Sequence, residues 1–65
     1  MNKLELGIEG YINIGNIVNV YFVNSLPVYN AEVLYRPGAI GECWRLKTEH
    51  GIVYVQMFER MDLIK

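Results

Sequence analysis

Three cations are spaced so that they would act together. Arg45 and Lys47 lie two apart in a stretch that alternates polar and apolar residues, so a strand carries both on one face. Arg36 sits in the loop that feeds this strand. Proline after Arg36 biases it toward an extended conformation, and Gly38 and Gly41 leave backbone N–H groups without Cβ shielding. Amides and a guanidinium converging in this way would receive a phosphate or carboxylate. Tyr29, Tyr35, Trp44 and Tyr54 have faces on which a base would stack. A ligand site, if the chain holds one, is expected from Tyr35, Arg36, Gly38, Trp44, Arg45 and His50, in a pocket between protomers. Arg36, rather than His50, is expected to hold the ligand.

A less specific account covers the same residues. Glu32, Glu42, Glu49 and Glu59 run through this region, so the cations also read as solvated ion pairs on an outer sheet face. The aromatics, Trp44 first, also read as the filling of a small barrel. His50, the only histidine, reads as an exposed turn residue. Cys43 reads as a small, inert strand residue. One Cys and one His do not make a zinc site, so no metal is expected. No set of nucleophile, base and orienting group can be assembled, so no catalytic residue, no enzyme activity and no cofactor is expected.

Composition narrows the partners. Of 65 residues, 52% are hydrophobic and 20% charged, which is too apolar for a disordered chain. Six Lys and Arg against seven Asp and Glu leave a net charge of -1, with no basic field, so nucleic acid is not the expected partner. No segment approaches the roughly 18 apolar residues of a membrane span, and the start has no apolar run of a secretory signal, so a cytoplasmic protein is expected. Length allows one domain, residues 1–65. Folding a chain this size removes roughly 6,600 Å² from water, worth about 100 kcal/mol. Ordering it costs about 100 kcal/mol as well. The near cancellation, with no disulfide to help, leads us to expect a homo-oligomer.

The elements that position these residues are strands. Even positions from Leu4 to Ile14 are apolar apart from Gly10, the pattern of a half-buried strand; residues 1–7 read equally as a loose arm or as a strand extension. Gly15-Asn16 reads as a type II′ turn. Strands follow at Ile17 to Val23, Val28 to Tyr35, Cys43 to Thr48 and Ile52 to Met57, with Glu49-His50-Gly51 a hairpin loop. In the second, Tyr29, Ala31, Val33 and Tyr35 form the apolar face. Phe58 to Met61 has the spacing of one helical turn, and Asp62 to Ile64 closes the chain as a strand. The fold class is all-β: a small closed SH3-like barrel of five to six short antiparallel strands, with one helical turn before the last strand. An OB-fold is disfavoured because no helical stretch of about ten residues separates any two strands.

Val33-Leu34-Tyr35-Arg36-Pro37-Gly38, Gly41-Glu42-Cys43-Trp44, Gly51 before Tyr54-Val55, and Phe58 with Met61 together resemble small proteins of tailed phages and prophages with SH3-like barrels. The resemblance spans Asn19 to Ile64. It implies an accessory protein of a mobile element working inside a bacterial cell, and it implies no catalytic residues. Three functions remain open. The first is an interaction module that docks, as a homo-oligomer, on a host or phage protein. The second is a nucleotide-binding or nucleotide-sequestering protein. The third is a binder of single-stranded nucleic acid.

Overall fold

A computed structural model of the chain describes residues 11–65. The alternation over Leu4 to Gly10 and the arm of residues 1–7 lie outside the described residues. Five strands follow one another: β1 (Ile17–Tyr21), β2 (Val28–Tyr35), β3 (Trp44–Thr48), β4 (Gly51–Val55) and β5 (Arg60–Leu63). They form one antiparallel sheet in the order β4-β3-β2-β1-β5. The all-β expectation therefore holds. The ring of strands expected of a closed barrel is not met among the described residues, because β4 and β5 are the two edges of the sheet and do not pair.

The sheet nevertheless curls around a single core. Ile12, Val18, Val20, Ala31, Val33, Trp44, Leu46, Val55 and Met61 are all buried in one cluster, which takes residues from both edge strands. Alternation produces this in β1, where Val18 and Val20 point inward, and in β3, where Trp44 and Leu46 do. In β4 only Val55 is fully buried and Val53 half-buried; Ile52 and Tyr54 face water.

β2 departs from plain alternation at both ends. Val18 pairs with Ala31 and Val20 with Val28, so β2 uses one residue more than β1 over this stretch. The extra residue is accommodated at Asn30, whose φ of 53° is left-handed. Val28 thereby turns inward against the core, and Tyr29 is left 57% exposed. At the other end Val33 pairs with Leu46 but Tyr35 with Arg45, a second irregularity that carries Tyr35 to the outer face. The expected single apolar face of Tyr29, Ala31, Val33 and Tyr35 is thus realised only at Ala31 and Val33.

Three local expectations are corrected. The turn before β1 lies one residue earlier than expected, with Ile14-Gly15 rather than Gly15-Asn16 at its centre: Asn16 N–H donates to Asn13 O at 3.0 Å, and Gly15, at φ 98°, takes the third position. This turn ends the alternation, since Ile12 is buried but Ile14 is 64% exposed. Phe58 to Met61 forms no helical turn. Arg60 and Met61 belong to β5, drawn into the ladder opposite Tyr21 and Val20, and Glu59 N–H donates to Tyr21 O at 2.8 Å. The three-residue spacing of Phe58 and Met61 serves an extended bend that brings both side chains to the core.

Candidate functional site

The loop between β2 and β3 is closed by one carboxylate. Glu42 Oε1 accepts the Gly38 N–H at 2.7 Å, the Ala39 N–H at 3.2 Å and the Tyr35 hydroxyl at 2.8 Å. Consecutive amides aimed at one oxygen make an anion nest. The place expected for a ligand's phosphate or carboxylate is filled by the chain's own Glu42. These donors, the Gly38 amide most and the Tyr35 hydroxyl next, hold the Glu42 carboxyl below the usual carboxylate range. The same hydrogen bond, and then lost hydration, raise the Tyr35 phenol above its ordinary value.

Arg36 turns inward. Its Nη1 donates to the Ile12 carbonyl at 2.7 Å, and its guanidinium lies 6.0 Å from the centroid of the Trp44 ring. Trp44 itself is 6% exposed. The pair thus ties the segment before β1 to the core; the indole is not a stacking platform.

Arg45 turns outward. Its guanidinium lies 5.1 Å from the Tyr35 ring centroid and 5.9 Å from that of Tyr54, between two π-faces. The register explains the stack, since Arg45 stands opposite Tyr35 on β2 and Tyr54 on β4. Tyr35, Arg45 and Tyr54, with Glu42 and Cys43, line a shallow concavity of about 230 Å³. One step along the same face, Lys47 stands between Glu32 and Ile52. Tyr54 and Ile52 are 66% and 53% exposed.

His50 lies at the other end of β3, in the turn to β4. It helps to line a separate concavity of about 500 Å³ with Pro27, Val28, Tyr29, Asn30 and Val53. Its Nε2 is 3.4 Å from Glu49 Oε2, but both side chains are largely in water, where such a pair is weak. The Thr48 hydroxyl organises the turn, accepting the His50 N–H at 3.0 Å and donating to Gly51 O at 2.9 Å.

The six expected site residues therefore divide. Tyr35 and Arg45 stand together, Gly38 is joined to them through Glu42, Arg36 and Trp44 pair inward, and His50 is apart. The six-residue set lacks two members of the outer group. Glu42, an acid four residues beyond Gly38 and in reach of its amide, was counted as a solvated charge. Tyr54, expected only as one of four stacking surfaces, joins the group because the hairpin register sets it opposite Arg45.

No protein-family model, curated protein or solved structure matches the chain. Among the described residues, no three His, Cys, Asp or Glu side chains group as metal ligands, and no helix is long and apolar enough to cross a membrane.

Proposed function

We propose that the chain is a non-enzymatic protein-interaction module of SH3-like architecture that works as a homo-oligomer. The observation that carries the reading is the outer face of β2, β3 and β4, where Arg45 is held between Tyr35 and Tyr54 beside exposed Ile52. Tyrosine and arginine dominate the energetic centres of protein interfaces, and a guanidinium pre-positioned by two rings loses little freedom on docking. The SH3-like assignment is supported by a meander whose last strand returns to pair with the first, curled about one core. The resemblance to small phage and prophage proteins extends the reading to an accessory protein acting on a host or phage protein in a bacterial cytoplasm.

A nucleotide-binding role is the weaker reading, because the Gly38 and Ala39 amides already serve Glu42 and any ligand phosphate must displace it. A single-strand nucleic-acid role keeps the Tyr35–Arg45–Tyr54 stack as a platform, but lacks a net positive charge. Native mass spectrometry of the protein purified from a bacterial host tests all three. Multiples of the chain mass, with a co-purifying protein lost on Arg45→Ala or Tyr54→Ala, are expected. A retained adduct of nucleotide mass, or retained oligonucleotide, would overturn the docking reading in favour of one of the others.

A further inference from the structure

The two edges of the sheet are protected unequally. β5 carries Arg60 and Asp62, whose side chains meet at 3.1 Å. β4 is Gly51, Ile52, Val53, Tyr54 and Val55, with no charge and no proline. Its register with β3 runs unbroken from Trp44 opposite Val55 to Thr48 opposite Gly51. Charges, prolines and bulges are the devices that keep an edge strand from pairing, and β4 has none of them. No described strand pairs with its outer edge.

We propose that a second copy of this chain pairs antiparallel along β4, about a two-fold axis at Val53. The proposal rests on the homo-oligomer reading above and names its interface. A two-fold contact requires a strip that complements itself. In this register Val53 meets the partner's Val53, Ile52 meets the partner's Tyr54, and Gly51 meets the partner's Val55. No charge faces another across the seam, and at a net charge of -1 the two copies repel weakly. Ile–Tyr neighbours across strands are among the pairs that stabilise sheets. Pairing β4 with β5 of another copy instead would set Arg60 and Asp62 against the apolar strip and propagate without closing.

Area sets the strength. Tyr54 is 66% exposed, so at about 150–250 Å² per aromatic side chain two copies hold roughly 200–330 Å² of it in water. Ile52, two residues away on the same face of β4, is 53% exposed. With the backbone strip, the contact falls near or below the roughly 1,200 Å² at which standard interfaces begin. The dimer is accordingly one that dissociates at micromolar concentration. Across it the outer faces join, so each Tyr54 lies next to the partner's Ile52 and the docking surface doubles.

Two measurements on the full chain test this. Sedimentation equilibrium across the micromolar range is expected to show a monomer–dimer equilibrium, weakened about tenfold or more by Ile52→Lys, a charge set on an edge where the side chain is already exposed. Val53→Cys in a Cys43→Ser background is expected to form a covalent dimer on mild oxidation. Facing Cα atoms of an antiparallel pair are about 4.5–5.5 Å apart, within disulfide range. If Val53→Cys does not fold, hydrogen exchange on wild type decides, and amide protection over Gly51–Val55 should rise with protein concentration. A dimer indifferent to Ile52→Lys, with no cross-link or no concentration-dependent protection, overturns the β4 interface but leaves self-association standing. A monomer throughout overturns both.

Discussion

Trp44→Ala tests whether the sheet curls as described. The indole is 6% exposed, packed among residues of all five strands, and roofed by the Arg36 guanidinium. Truncating a buried tryptophan to alanine costs about 3–5 kcal/mol. Losing the cation above the ring adds about 0.5–1 kcal/mol. A chain of this length has about 3–10 kcal/mol of stability in all, at about 0.05–0.15 kcal/mol per residue. The substitution therefore removes from a third of the stability to all of it. With a urea slope of about 1 kcal/mol/M, the midpoint falls by about 3–6 M. Since Trp44 is the only tryptophan, its fluorescence disappears with it, and unfolding has to be followed by far-UV circular dichroism. Trp44→Phe should keep most of the midpoint, because a ring still fills the site. A Trp44→Ala midpoint equal to wild type would mean that the ring contributes nothing to the core, and the packing argument would fail with it.

Four further outcomes follow from the geometry. Arg36→Ala should lower stability by about 1.5–3 kcal/mol, the range for a hydrogen bond to a charged group, because it strips the donor from the Ile12 carbonyl; an unchanged melting temperature would put the guanidinium in water. The Glu42 carboxyl is held low, so its contribution is complete above the ordinary carboxylate value and is lost progressively as pH falls from there through its lower folded value. The melting-temperature gap between wild type and Glu42→Gln should therefore close in acid, and a gap that ignores pH would count against the loop closure. Tyr35, raised by the same bond, adds stability that is complete below the ordinary phenol value and lost as pH rises through its higher folded value; Tyr35→Phe should abolish that alkaline loss in melting curves. Asn30, at φ 53°, should tolerate glycine within about 0.5 kcal/mol but lose about 1–2 kcal/mol on change to alanine; equal losses by urea titration would argue against a left-handed residue there.

Period-two patterning made most of the fold legible. Alternation alone sets Val18 with Val20 and Trp44 with Leu46 on common faces, all four of which are buried, and the expected strand Val28 to Tyr35 matches β2. Parity within β2 was not legible, because a bulge leaves no mark in composition. An extra residue at Asn30 and another before Tyr35 each flip a tyrosine from one face to the other. Hairpin register decided the rest of the candidate site. Taking Gly51 as a third loop residue sets Arg45 opposite Val55, whereas the pairing of Thr48 with Gly51 sets it opposite Tyr54. At Phe58 and Met61 a spacing of three fits a helical turn, yet an extended bend joined to β1 brings the same two side chains to the core.

The pairing of β5 with β1 has a kinetic side. The meander from β1 to β4 is built from neighbours in the chain, whereas Met61 reaches Val20 only across the whole of it. Non-local closure of this kind slows folding, so the four-strand meander is expected to form before β5 docks. During that interval β1 is an open edge strand that carries Val18 and Val20, and the β5 of another molecule fits it as well as its own. Rapid refolding at high protein concentration should then trap exchanged pairs that dilute refolding does not, which makes the order of strand addition a control on how cleanly the molecule is recovered.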